Sequence, residues 1–554
     1  MKRLIFLLIS GITALPILAQ LNGDGYYRLR NTGSYGRYLT ISNNRIDETN
    51  KNAITRGEEG NVYGLKTITD PVSDPSSIIY ISKDNTAKSN NAYNIQAQGV
   101  NPLKFLKDNG AELKIYPDGE NYLIYGSKDA ITLFLVDNPG ADGFIKVARK
   151  GVYPQYQTWK LYPVDQVVDY FAITPDEKIK IGDKYYTTIY ASFPFQLGKG
   201  MKAYSVVDSK LKSGIPYAEL KEINGKVPAA TPVIIECSSL DPADNKVTLL
   251  TSDDAPAAIS GNKLKGVYFC YAKMKGNTGQ ENTSQNYQVI KNVVDYNSKK
   301  MRVLGLVNGK LGLVDADDDA LVVTDLGRYL PANKAYFPID ESVAEATANG
   351  IRLLDKQGIE DLSKLITDNK AIFEKNEEEE NTVSLTDYYN VSGNYEIPEK
   401  VTGNDGKVYT VTRVASYAFK GNKRLTSITI PSSINSIEDA AFSGCENLKE
   451  ISIEKDDPID LGQNGASVFE GVNFETCVLY VPESSIEKYK ADKIWGKFKN
   501  ILSHTSGIND IRLDENKASD VYNLQGQIVL RQTSNIEQLP KGVYIINGKK
   551  IIKK

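Results

Sequence analysis

The chemistry open to this chain is limited first by its scarcity of general bases. Among 554 residues there is one histidine, His504, in the polar stretch Ser503–Ser506. A serine or cysteine nucleophile needs a base in hydrogen-bond reach, held in turn by a third group. One histidine leaves little room for such a site, and the HExxH zinc pattern, which needs two, is excluded. The four cysteines are Cys237, Cys270, Cys445 and Cys477. An exported setting permits disulfides, and the pairs 237/270 and 445/477 are local enough to form them. Four thiols in so long a chain do not make a disulfide scaffold, and free, buried cysteine is the preferred reading. Asp315, Asp317 and Asp319 alternate like the first ligands of a calcium loop. Such a loop requires Gly at its sixth position and Glu at its twelfth, where this chain has Ala320 and Leu326. The stretch therefore reads as a solvated acidic turn. A glycosidase would need two carboxylates facing each other across a cleft, and no motif marks such a pair. The expectation is a protein without catalytic residues, cofactor or metal.

Binding remains. The net charge of −3, from 66 basic and 69 acidic residues, offers no basic stripe for nucleic acid. Tyrosine, 34 residues against 15 phenylalanines, suits both strands and wet binding surfaces.

The elements that would present binding residues are most legible near the C-terminal end. "VASYAFKGNKRLTSITI" aligns with "IEDAAFSGCENLKEISI" at a spacing of 23 residues, pairing Val414 with Ile437, Phe419 with Phe442, Gly421 with Gly444, Leu425 with Leu448, and Ile428 and Ile430 with Ile451 and Ile453. A fixed period in the twenties marks a leucine-rich-type solenoid. Ile428 and Ile430 alternate, so they share one face of a short strand. Pro431 ends that strand, and one coil cannot bury its apolar side without a stacked neighbour. A degraded third coil places Phe469, Gly471, Val478 and Tyr480 after a spacing of 27. Upstream, Ile397-Pro398 and the hairpin signal Asn404-Asp405-Gly406 read as a cap. Downstream, Ile486, Tyr489, Ile494, Trp495 and Phe498 read as the inner side of a closing helix. The outward strand residues Thr426, Ser427, Thr429, Lys449, Glu450 and Ser452 are the candidate binding positions. The pattern resembles the BspA-like leucine-rich repeats, most closely in "AFSGCENLKEISI". That resemblance implies a surface protein, adhesin-like, that engages host or microbial proteins. Cys445 stands where the preceding coil has Asn422, which favours a buried turn position.

Residues 20–165 read as short strands: Tyr26–Arg30, Tyr38–Ile41, Ile78–Ile81, Tyr93–Gln98, Glu112–Tyr116, Tyr122–Tyr125, Ile131–Val136, Phe144–Val147 and Thr158–Tyr162, the pattern of a sandwich or barrel. "GYYRLRNTGSYGRYLTI" and "QTWKL", with Gln157 and Trp159, resemble ricin-like β-trefoil lectins. The resemblance implies an alternative function, carbohydrate binding, with Tyr38 and Trp159 as candidate ligand contacts. Residues 166–345 read as a β-sandwich module, with the similar phrases "GKVPAATPVIIEC" and "GRYLPANKAYFPI" entering strands after Pro228 and Pro331. Residues 346–382, charged and proline-free, read as a linker.

Both ends suggest export. Lys2 and Arg3, an apolar run and Ala19 have the layout of a signal peptide over residues 1–19, which leaves no transmembrane span after cleavage. Residues 503–554 hold four alternating strands, and "VYNLQGQIV" and "LPKGVYIINGKKIIKK" resemble the sorting domain of the type IX secretion system of Bacteroidetes. The expected class is mainly β and multidomain: a β-trefoil-like domain, a β-sandwich module, a short leucine-rich repeat solenoid and a small C-terminal β-domain. The protein is expected to be secreted or on the outer cell surface, with extracellular proteins or glycans as partners.

Overall fold

The computed structural model describes residues 21, 24–42, 54–56, 62–85, 93–97, 113–128, 131–137, 145–165, 167–251, 253–268, 294–324, 327–504, 519–523, 527–533, 539, 542–546 and 549–553. The expected signal peptide lies outside them. The chain is mainly β and divides into two compact units, one holding residues 1–208, 219–305 and 313–344, the other 209–218, 306–312 and 345–554.

In the first unit, β1 (Gly25–Asn31), β2 (Tyr38–Ser42), β3 (Ile54–Arg56), β4 (Val62–Ile68), β5 (Ile79–Lys83), β6 (Tyr93–Gln96), β7 (Lys114–Asp118), β8 (Asn121–Lys128), β9 (Ile131–Asp137), β10 (Ile145–Ala148) and β11 (Thr158–Pro163) form one antiparallel sheet. The path β1–β5–β6–β7–β8–β11 returns to β1, so the sheet closes on itself. Closure removes the exposed edges that an open sheet must protect. Alternate residues point inward and bury Leu29, Ile79, Ile81, Ile95, Ile115, Ile124, Trp159 and Leu161. Each strand read from sequence has a counterpart here, and the expected ends at Gln98, Glu112 and Phe144 lie outside the described residues. β3 and β4 were not foreseen, because Gly64 interrupts the alternation in "VYGLKTI".

The second block of this unit buries Phe171, Phe193, Phe195, Ala203, Val227, Val233, Ile235 and Val247 in a core of its own. Its two similar phrases share a turn. Ala230 and Asn333, each two residues after the proline, both take positive φ (50° and 57°) ahead of the strands Val233–Cys237 and Lys334–Pro338. The acidic turn spends its carboxylates on separate neighbours. Asp319 pairs with Lys178 and Asp318 with Arg328, both at 2.7 Å, while Asp315 accepts from the Tyr296 hydroxyl.

In the second unit the stretch read as a linker is structured. It holds a strand at Ile351–Leu354, helix α1 (Lys356–Asp361), β12 (Ile366–Asp368) and β13 (Ala371–Lys375), and β13 pairs antiparallel with β14 (Thr382–Tyr388). Ile366, Ala371 and Phe373 join the solenoid core. The acidic run Glu377–Glu380 is only the exposed turn between β13 and β14. Charge there marked a hairpin tip, and it masked the short apolar strand before it.

The solenoid follows: β15 (Gly393–Glu396), β16 (Lys400–Thr402), β17 (Val408–Val414), β18 (Leu425–Ile430), β19 (Ser436–Ile437), β20 (Glu450–Ile453), β21 (Val478–Val481), helix α2 (Ile486–Ala491) and β22 (Asn500–Ser503). β15, β18, β20, β21 and β22 form one parallel sheet, and β17 pairs parallel with β14 and β19 in another. β16 and β17 are the hairpin expected around Asn404-Asp405-Gly406, with Gly406 at φ 75°. The segments read as caps thus carry sheet strands of their own. The closing segment is a broken helix: α2, then a single tight turn at Trp495–Lys497, with Tyr489, Trp495 and Phe498 buried.

Between the sheets the coils stack in register. The rings of Phe419, Phe442 and Phe469 lie parallel at centroid distances of 5.3 and 5.7 Å. Beside them Gly421, Gly444 and Gly471 all take positive φ, and the Gly421 and Gly444 amides each donate to the next coil at 2.7 Å.

Four further strands, β23 (Ser519–Asn523), β24 (Ile528–Thr533), β25 (Gly542–Ile546) and β26 (Lys549–Lys553), form an antiparallel sheet in the order β24–β23–β25–β26. The turns Gln525-Gly526 and Asn547-Gly548 that the sequence suggested lie outside the described residues.

Candidate binding face of the parallel sheet

In the parallel sheet, residues facing the coil interior are fully buried: Ile428 and Ile430, Ile451 and Ile453, Leu479 and Val481. Their alternates face outward. The register sets two outward rows across the coils. One runs Asn394, Ser427, Glu450, Val478, Asn500, and the other Glu396, Thr429, Ser452, Tyr480, Leu502. Thr429 and Ser452, two of the six strand residues singled out from sequence, are therefore direct neighbours. Thr426 and Lys449 adjoin at the strand entries, where the Lys449 amide donates to the Thr426 carbonyl at 2.9 Å. Ser427, Thr429, Glu450 and Ser452 thus lie in the two outward rows, with Thr426 and Lys449 at the strand entries beside them. Lys449, Glu450 and Asn500 are exposed, and Thr426, Thr429 and Ser452 are half-buried.

The third coil departs from the expected spacing. Phe469 follows Phe442 by 27 residues, as read, and stacks on it. Its strand, however, pairs Ile451 with Leu479, a spacing of 28. One added residue between Gly471 and β21 reverses which side chains face in. Leu479 and Val481 are buried, while Val478 and Tyr480 join the outer face. Tyr480 and Leu502, which is 41% exposed, were consequently missed as face residues. The prolines held the correct register: Pro431 follows the inward Ile430, and Pro482 follows the inward Val481.

His504 also belongs here. Its amide donates to the Val481 carbonyl at 3.2 Å, and its Nε2 lies 3.2 Å from the Ser452 hydroxyl. A serine–histidine contact alone is not a nucleophile–base pair, because the second ring nitrogen must be held by an acceptor. Among the described residues none holds it. The face offers hydroxyls, the Tyr480 and His504 rings and scattered charges over a parallel backbone ladder, which suits reversible contact with another surface.

The cysteines serve the core. Cys237, Cys445 and Cys477 are free and buried, and burial pushes each thiol up to about 12. Cys270 lies outside the described residues. Cys445 donates to the Phe419 carbonyl at 3.1 Å, and Asn422, one coil earlier, donates to the Val391 carbonyl at the same distance. The two residues fill the same buried turn position. Among the described residues no group of three or more His, Cys, Asp or Glu side chains could hold a metal.

Of the two barrel candidates, Trp159 is corrected. Trp159 is fully buried and cannot meet a ligand. Gln157, expected beside it as part of the same motif, donates to the Arg149 and Val152 carbonyls at 2.7 and 2.9 Å and so ties down its loop. Tyr38 is half-buried, with the Arg30 guanidinium 5.6 Å from its ring centre. Trp159 is taken up by the core, while the Tyr38 ring stays partly exposed.

The fold defines the second unit as a leucine-rich-type solenoid. Residues 409–494 match the BspA type leucine rich repeat region, in 6 copies. Among curated proteins none matches the chain. Of solved structures, a leucine-rich repeat protein from Bacteroides capillosus is 21% identical, covering 25% of this chain and 98% of that one, with a TM-score of 0.19. A leucine rich cell surface protein from Faecalibacterium prausnitzii is 23% identical, covering 25% of this chain and 32% of that one, with a TM-score of 0.16. A lectin from Polyporus squamosus is 13% identical, covering 26% and 51%, with a TM-score of 0.19. No helix among the described residues is long and apolar enough to cross a membrane.

Proposed function

We propose that this is an exported or cell-surface protein, adhesin-like, that binds other proteins through the outer face of its parallel sheet and performs no chemical step. The observation that carries this reading is the two-row face spanning five strands, from Asn394 and Glu396 to Asn500 and Leu502. The match of residues 409–494 to BspA type repeats supports it. A flat row of outward residues on a rigid stack costs little ordering on binding, which favours affinity. The leader-like residues 1–19 and the C-terminal strands resembling a type IX sorting segment support export. The closed barrel is read as trefoil-like. Sugar binding through Trp159 is not retained, because that side chain is buried in the core.

The test is adhesion of the purified full chain to a panel of extracellular-matrix proteins and whole bacterial cells. Saturable binding to at least one member, absent after heat denaturation, is the expected result. No binding above the denatured control across the panel would end the reading.

A further inference from the structure

The first unit contains a cavity of about 480 Å³ that the surface-binding role does not use. Its volume falls in the range of small-molecule sites. Its apolar side is made by Phe171, Ile173 and Ile189, and Lys334 lies in its wall. Lys334 is placed by the positive-φ turn at Asn333, which begins the strand Lys334–Pro338 and turns the side chain of its first residue toward the strand Lys184–Ile189.

The Lys334 ammonium donates to the Thr187 hydroxyl at 2.6 Å. Among the described residues no carboxylate lies within ion-pair distance of it. A cation removed from water normally has an anionic partner, because a neutral hydroxyl offsets little of the lost solvation. Burial here pushes the ammonium below its ordinary value. Of the two acids of the same wall, Asp74 is engaged by its own turn, and Asp176 acts on the ammonium through space without an ion-pair contact. Asp74 accepts from the Ser76 amide and hydroxyl at 2.8 and 2.5 Å and from the Thr40 hydroxyl at 3.3 Å. Asp176 accepts from the Lys178 amide at 2.9 Å. Two hydroxyls of the wall already accept. Thr188 Oγ1 takes the Ala335 amide at 3.0 Å and Ser73 Oγ takes the Thr174 hydroxyl at 2.7 Å, so each has its own proton to give.

We propose that this cavity binds a small hydroxylated carboxylate. Its carboxylate sits on the Lys334 ammonium and supplies the direct ion pair that Asp176 does not make. Its carbon skeleton lies on Phe171 and Ile173, and its hydroxyls exchange hydrogen bonds with Thr188, Ser73 and Asp176. Charge supplies the affinity and the hydroxyl lining supplies the selectivity over a simple fatty acid.

The test is calorimetric titration of the full chain at neutral pH with glucuronate, with glucose and with acetate. Glucuronate is expected to bind at least about tenfold more tightly than either of the others, and Lys334→Gln is expected to abolish that preference with the melting temperature unchanged. If Lys334→Gln does not fold, the wild-type protein still decides the matter. Glucuronate must slow reductive methylation of Lys334, read by mass spectrometry, without slowing that of exposed Lys199. Absence of glucuronate binding, an equal preference in Lys334→Gln, or unprotected Lys334 overturns the proposal.

Discussion

Gly444 has φ +74°, and a Cβ built on it would come within 3.2 Å of the Gly421 Cα in the coil before. The left-handed backbone and the close approach of successive coils both demand glycine at this position. Gly444→Ala is expected to cost at least about 1–2 kcal/mol, read as a lowered midpoint in urea; an unchanged midpoint would mean that the stack is looser than described. Asp405 shows a different kind of residue effect. The Lys375 amine at 2.8 Å and the Tyr409 hydroxyl at 2.7 Å hold its carboxyl well below the usual carboxylate range. A depressed carboxylate contributes stability that is present above its unfolded value of about 3.9 and is lost as pH falls through the lower folded value. Asp405→Asn is therefore expected to lower the melting temperature at pH 6 and to have little effect at the acid end of that range. A constant difference at all pH values would contradict the assignment. Both positions were visible in the sequence, as a repeated glycine and as a turn signal. For Trp159 a core place in its strand was the favoured reading, yet ligand contact stayed open, since an aromatic residue in a strand has the same pattern whether it faces ligand or core.

At the scale of the coil, the register of β21 is the decisive feature. Period and residue type located the repeats, because each coil must bury the same positions against its neighbours. The spacing alone did not locate the strand of the third coil, where one added residue keeps Phe469 in the stack and shifts the strand by one. Leu479 is buried and Val478 is only half-buried. Leu479→Ala is expected to cost about 2–5 kcal/mol, in the range of buried leucine truncations. Val478→Ala is expected to cost less than about 1 kcal/mol. Equal losses in denaturant titrations, or the reverse order, would restore the 27-residue register. In residues 346–382 charge density was read as a linker, although Ile351–Leu353, Leu362, Ile366 and Ala371–Phe373 are buried between the exposed charges. Short strands such as β12 and β13 are specified by pairing partners far along the chain, which a local pattern does not contain.

For the molecule as a whole, the sequence carried the mainly-β class and the repeat unit. The closing of the barrel through β1, β8 and β11 depended on pairings between residues some 130 positions apart, such as Asn31 with Trp159. The sequence placed Thr426, Thr429, Lys449 and Ser452 on one face, and the structure added Tyr480, Leu502 and His504. The account rests on that face being the contact surface. The most direct test is the double variant Thr429→Arg, Ser452→Arg in the full chain, compared with a control, Val323→Arg, at an exposed position of the other unit. Adhesion to the matrix proteins and cells that capture the wild type is measured alongside the melting temperature. The face variant is predicted to lose at least about tenfold in affinity with its melting temperature kept, while the control binds as the wild type does. A folded face variant that binds as tightly as the wild type would contradict the account.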